Sequence, residues 1–224
     1  MRNLNIKAVC FDYYGTLVDI GEPFEKIKNW FNDFLNKENS NILINEFYMN
    51  FSKQRAKYQF NLEFMTGYKI LENSYRNACS KYGLKHHTLE FNEFISYLFS
   101  TPCAYGDANQ TIRLLKEKYK VGLITNADNQ ILEQSITNQG FNFDFVITSE
   151  DARCNKPQPE IFRMAINHIN VASRQTLMIG DSLSEDILGA RDVGMNTIWI
   201  NRENVKNREN VIKVNSIKEI LNYL

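Results

Sequence analysis

The sequence predicts an α/β protein: a doubly wound, parallel five-stranded sheet with helices on both faces, joined to an all-helical second unit. Three observations predict it. Short apolar, β-branched runs recur after residue 100 and alternate with segments of helical periodicity, the pattern of a parallel sheet. Residues 18–99 carry helical runs and no convincing strand. Four short polar signals each lie at the end of a strand-like run or in the turn after it, the place where open α/β sheets bind ligands.

In chain order, the run Ile6 to Phe11 reads as a buried strand that ends on Asp12. The insertion after it holds helical runs near 24–36, 42–60, 68–82 and 89–98. Its aromatic residues, including Tyr48, Phe51, Tyr58, Phe60, Phe64, Tyr68 and Tyr75, are the large side chains that a small bundle needs for a core. Further strands lie at 120–124, 143–148, 176–179 and 197–200, with helical periodicity between them in Ala108-Ile112-Leu115, Ile131-Ile136 and Ile161-Ala165-Ile169. Gly140 and Gly194 stand where helices would stop. Val211 to Val214 suggests a short edge strand, and Ser216 to Leu224 a last amphipathic helix. The domains are therefore residues 1–17 with 100–224, and 18–99, joined by linkers near 18–23 and 100–106 that could act as hinges.

Composition narrows the partners. The 224 residues carry 26 basic and 26 acidic side chains, so there is no basic footprint for nucleic acid or an anionic membrane. No apolar stretch approaches the roughly 20 residues that span a bilayer, and the N-terminus shows no signal-peptide core, which points to a cytoplasmic protein. The 4 cysteines lack CxxC spacing and suggest neither zinc nor disulfides. A small molecule is the expected partner, for a monomer or a homodimer.

The first polar signal is Phe11-Asp12-Tyr13-Tyr14-Gly15-Thr16, a carboxylate leaving a buried strand into a Gly-Thr turn. The second, Leu123-Ile124-Thr125-Asn126, offers a hydroxyl and an amide. The third, Asn155-Lys156-Pro157-Gln158-Pro159, sets a lysine before a proline-stiffened turn. The fourth, Ile179-Gly180-Asp181-Ser182-Leu183-Ser184-Glu185-Asp186, supplies acids after a strand. Together they hold a carboxylate nucleophile, anion donors, a fixed cation and further carboxylates for a divalent ion. That set suits phosphoryl transfer, which is mostly positioning and charge neutralisation, and Mg²⁺ prefers a few carboxylates with phosphate oxygens and water.

In this order, with a helical insertion between the first and second, the four signals resemble the haloacid dehalogenase superfamily, in the branch whose helical cap is inserted after the first motif. The resemblance implies a Rossmann-like core and gives each position a role. Asp12 would be the nucleophile and form an aspartyl intermediate, while Gly15, Thr16, Thr125 and Asn126 would form the substrate site, Thr125 by bonding the transferring group and Asn126 by supporting the loop. Lys156 would pair with nucleophile and phosphate. Asp12, the Tyr14 backbone carbonyl and Asp181 would ligate Mg²⁺, and Asp186 would support the metal or orient Lys156.

One position departs from the phosphatase pattern. Two residues after the nucleophile those enzymes carry an aspartate that protonates the leaving group and then activates water; here it is Tyr14. Such acid-base help is worth about 10²–10⁴-fold, and a phenol can donate a proton but is a poor base at neutral pH. The Asp-x-Tyr-Gly-Thr spelling is typical of 2-haloacid dehalogenases, which displace halide without a metal and use a cap arginine for the substrate carboxylate; Arg55 is the candidate, with Lys57, Tyr58 and Asn61 as other polar residues of the insertion. Those enzymes lack the fourth-motif Gly-Asp pair that this chain keeps. The sequence therefore favours a Mg²⁺-dependent phosphatase of a small phosphate ester, against a 2-haloacid dehalogenase-type hydrolase and a weakly active phosphate-binding regulatory relative.

Overall fold

The structure, a computed structural model, describes residues 5–59, 63–206 and 209–224, so Phe60 and Asn61 lie outside the described residues. The chain divides into two compact units, one formed by the segment up to Asp19 together with Pro102–Leu224, the other by Ile20–Thr101. In the first unit the elements run β1 (Ala8–Phe11) and β2 (Val18–Asp19). The helical unit comes next, with α1 (Pro23–Lys37), α2 (Ile44–Gln59), α3 (Gly67–Lys81) and α4 (Thr88–Ser100). The chain then continues as β3 (Cys103–Ala104), α5 (Ala108–Lys116), β4 (Lys120–Thr125), α6 (Asn129–Gln139), β5 (Phe145–Thr148), α7 (Ser149–Ala152) and α8 (Pro159–Ile169). Last come β6 (Thr176–Gly180), a π-helical turn at Leu183–Leu188, α9 (Gly189–Asp192), β7 (Asn196–Ile200), β8 (Ile212–Val214) and a 3₁₀ turn at Ile217–Asn222.

The main sheet has six strands in the order β5-β4-β1-β6-β7-β8, every pair parallel. The five expected strands are joined at the edge by β8, where the sequence suggests a short edge strand. Renumbered within the sheet, the order is 3-2-1-4-5-6, so the chain reverses direction between β1 and β6, and the crevice at that reversal is the usual ligand position.

Alternate residues of the strands pack to opposite faces, which is why the central runs read as continuously apolar. Val9, Phe11, Leu123, Leu177 and Ile179 join Ile112, Leu115, Leu132 and Ile217 on one face. Ala8, Cys10, Ile124 and Met178 join Ile161, Phe162 and Ala165 of α8 on the other.

Two points correct the sequence reading. Val18–Asp19, placed by sequence in the helical insertion, is a strand that pairs antiparallel with Cys103–Ala104, so a small ribbon stands where plain linkers were expected. The C-terminal segment closes as a 3₁₀ turn rather than an α-helix.

The helical unit has its own core, centred on Phe31, Phe47, Phe51, Tyr75 and Phe91. Its rings pack edge-on, tilted or stacked, with Tyr75 and Phe91 centroids 4.5 Å apart. No helix among the described residues is long and apolar enough to cross a membrane.

Candidate active site

β1 delivers Asp12 to the reversal point, and the backbone amide of Asp12 is tied to the Ile179 carbonyl of β6 at 2.9 Å. The next residues turn sharply. Gly15 adopts φ +84°, a conformation that favours glycine, and a Cβ there would fall 2.6 Å from Asp181 Oδ2. Tyr13 points into the core, where its hydroxyl meets Ser135 Oγ of α6 at 2.8 Å.

Asp12 is buried and its Oδ1 takes two contacts, from Lys156 Nζ at 2.7 Å and from Thr125 Oγ1 at 2.9 Å. Oδ2 is then the oxygen committed to neither. Lys156 donates as well to Asp186 Oδ1, and the ammonium is buried between the two carboxylates. Burial works against its charge, but Asp12 and Asp186 outweigh that and hold the ammonium above the ordinary lysine range.

Asp186 spends Oδ1 on Lys156 and Oδ2 on the Ser182 amide at 3.0 Å. The strand makes room for it at Gly180, where a Cβ would overlap the Asp186 carboxylate. Asp186 thus orients Lys156 with one oxygen while remaining one of the carboxylates clustered at the site.

The Thr16 side chain turns to protein partners rather than outward, and Asn126 sits in the loop-supporting place expected of it. The Thr16 hydroxyl is fully buried, donates to Asp181 Oδ1 and accepts from the Asp181 amide, both at 3.0 Å. Asn126 accepts the Lys156 amide at 2.7 Å and donates to the Lys156 carbonyl and to Glu185 Oε2 at 3.2 and 3.1 Å. Both amino acids brace loops, and their polar atoms are spent on protein.

Three carboxylates, Asp12, Asp181 and Asp186, each offer an oxygen within 4.8 Å of the others. One buried ammonium cannot balance them. Asp181 is exposed as a residue, but desolvation of its carboxyl beside Thr16 and Gly15, then the Asp12 charge, pushes it up to about 6. Burial likewise pushes Asp186 up to about 7, with Lys156 opposing and Asp12 adding to the rise. Glu185 is also raised, chiefly by burial. The all-oxygen donor set and its excess of negative charge fit a hard divalent cation.

Tyr14 is half-buried, its ring edge-on to Tyr13 with centroids 5.0 Å apart. Burial, then the neighbouring Tyr13, Asp128 and Asp12, hold its phenol well above the usual range, so it stays neutral. Arg55 belongs to the helical unit, where its guanidinium stacks over the Phe24 ring at 4.2 Å. Sequence reasoning missed Glu185 as a partner of Asn126, though it lies inside the fourth signal, and missed Trp199, whose indole donates to the Asp181 carbonyl at 2.7 Å.

With a buried carboxylate, a lysine, a strand-end hydroxyl and further acids gathered at one sheet edge, the chain matches the haloacid dehalogenase-like hydrolase family over residues 6–194 and belongs to it. It is a hydrolase of that family. It is 28% identical over 202 residues to a glyceraldehyde 3-phosphate phosphatase of Pyrococcus furiosus, covering 87% of this chain and 80% of the relative. It is 27% identical over 212 residues to an (S)-2-haloacid dehalogenase of Pseudomonas fluorescens, covering 89% and 86%. Among solved structures, a 2-haloacid dehalogenase from Pseudomonas syringae shares the fold with a TM-score of 0.78 over 97% of both chains, at 19% identity.

Proposed function

We propose that this hydrolase is a Mg²⁺-dependent phosphatase acting on a small phosphate ester through an aspartyl-phosphate on Asp12. The observation that supports it is the charge of the cluster, three carboxylates against one buried ammonium. An anionic ester would be repelled from such a site, and a divalent ion removes the repulsion. A metal-free displacement of halide gains nothing from extra acids beside its nucleophile.

Asp12, Asp181 and the Tyr14 backbone carbonyl would hold Mg²⁺. When bound, the ion neutralises charge on the phosphoryl oxygens and the carboxylates. Asp12 attacks phosphorus through the oxygen that Lys156 and Thr125 leave uncommitted; the bond from phosphorus to the leaving oxygen breaks, and that oxygen takes a proton. Lys156, held charged, balances the phosphoryl group, and Thr125 keeps the nucleophile in place. Water then attacks the aspartyl-phosphate, releasing phosphate and regenerating Asp12. A neutral Tyr14 can donate a proton in the first half but cannot accept one from water in the second, so the second half is slow.

The spelling from Asp12 to Thr16 and the likeness to the Pseudomonas fluorescens enzyme favour a second reading, 2-haloacid hydrolysis. Tyr14 alone supports a third, a phosphate-binding relative with little turnover. One comparison separates them: phosphate release from p-nitrophenyl phosphate with Mg²⁺ or EDTA, beside halide release from 2-chloropropionate. Metal-dependent phosphate release supports the proposal, EDTA-resistant halide release overturns it, and thermal stabilisation by phosphate without turnover in either assay favours the third reading.

A further inference from the structure

The acidic end of the site is also reached from β7, by residues outside all four polar signals. Beyond the Trp199 indole, Arg202 donates from Nη2 to the Thr16 carbonyl at 2.9 Å and from Nη1 to the Asn215 carbonyl at 3.4 Å. Its guanidinium lies 3.7 Å from the centroid of the Tyr105 ring. The side chain thus joins three separate segments of the core unit, those carrying Thr16, Tyr105 and Asn215. Arginine suits this work because its planar fork can stack and donate in two directions at once.

Thr16 passes the constraint on. Its hydroxyl both donates to Asp181 Oδ1 and accepts from the Asp181 amide. The turn has little slack, since even a methyl on Gly15 would collide with the same carboxylate. Any displacement of the Thr16 backbone therefore shifts Asp181 as well. Thr16 is fully buried, so water has poor access to replace the guanidinium at its carbonyl.

We propose that Arg202 is a positioning residue for Asp181, acting through Thr16, and thereby sets the divalent-cation affinity of the site; this rests on the metal-dependent reading above. Residues behind metal ligands commonly change metal affinity by 10–100-fold when removed. Arg202 acts through one intermediary, so the low end applies.

The test is Mg²⁺ binding by calorimetry to the wild-type protein, Arg202→Gln, Arg202→Lys, Tyr105→Leu and Tyr105→Phe, with melting of each metal-free protein alongside. The expected result is a Kd for Mg²⁺ raised roughly tenfold in Arg202→Gln, with smaller rises in Arg202→Lys and Tyr105→Leu and none in Tyr105→Phe, which keeps the ring. At saturating Mg²⁺ the kcat of Arg202→Gln on p-nitrophenyl phosphate should return close to that of wild type. A lowered melting temperature with an unchanged Mg²⁺ Kd would reduce Arg202 to a purely structural residue and overturn the inference. Should Arg202→Gln fail to fold, unchanged affinities in Arg202→Lys and Tyr105→Leu do the same. Absence of Mg²⁺ binding by the wild-type protein defeats the metal-dependent reading itself, and the inference with it.

Discussion

Replacing Tyr14 with aspartate tests the chemistry at the one position where the site departs from the phosphatase pattern. An unperturbed phenol with a pKa near 10 is ionised in about one molecule in 10³ at pH 7. Burial, Tyr13, Asp128 and Asp12 all push Tyr14 further up, so the ionised fraction is smaller still. The wild-type protein therefore has no base at residue 14 for hydrolysis of the aspartyl-phosphate, and that step should limit turnover when the leaving group is good. Stopped-flow measurement with p-nitrophenyl phosphate and Mg²⁺ should show a burst of p-nitrophenolate close to one per site, then slow steady release. In Tyr14→Asp the burst should disappear and kcat should rise by about 10²-fold, the low end for acid-base catalysis, since the new carboxylate would itself sit in a buried, negative neighbourhood. Equal or slower turnover in Tyr14→Asp, with Mg²⁺ bound as tightly as before, would refute the argument that a missing base limits this enzyme.

Other perturbations act on the same cluster. Because Asp181 and Asp186 are pushed up to about 6 and about 7, the folded metal-free protein holds more protons than the unfolded chain between about pH 4 and 7. Their contribution to stability thus falls as pH rises through that window: the metal-free melting temperature should drop by on the order of 5 °C from pH 5 to pH 8, and Mg²⁺ should raise it more at pH 8 than at pH 5. Lys156→Met strands Asp12 and Asp186 without their cation, and urea denaturation at pH 7 should register a loss of about 3–5 kcal/mol, with activity abolished. Gly180→Ala drives a Cβ into the Asp186 carboxylate; it should cost roughly 1–3 kcal/mol and lower kcat/KM with little change in far-ultraviolet circular dichroism.

Much of this site was legible because its chemistry hangs on sheet periodicity. Runs such as Val9-Cys10-Phe11 and Leu177-Met178-Ile179 must be strands buried on both faces, and the polar residues at their C-terminal ends must emerge at one edge. That logic places Asp12, Thr125 and Asp181 at the edge, and the order of the four signals, with the family resemblance it carries, gives them roles. The hidden part of the site depends on partners far apart in the chain. Thr16 looked like a substrate donor, yet its hydroxyl is spent on Asp181, 165 residues away. Asn126 reads as an anion donor until its side chain is seen bracketing Lys156, 30 residues on. The ribbon of Val18–Asp19 with Cys103–Ala104 is too short to carry a period and does not announce itself as strands, whereas the edge strand Ile212–Val214 is legible although two of its three side chains are exposed. Arg202 comes after a strand that carries no recognised signal, and no pattern in its neighbourhood separates it from a solvated arginine.

The central claim is that Asp12 carries the phosphoryl group in a divalent-cation-dependent step. The most direct measurement is peptide mass spectrometry of protein quenched in acid during turnover of p-nitrophenyl phosphate, with Mg²⁺ or with EDTA, beside Asp12→Asn. A phosphoryl adduct on the peptide containing Asp12, present with Mg²⁺ and absent with EDTA and in the variant, is the predicted result. No adduct on that peptide while phosphate is being released, or an adduct that forms equally in EDTA, would contradict it.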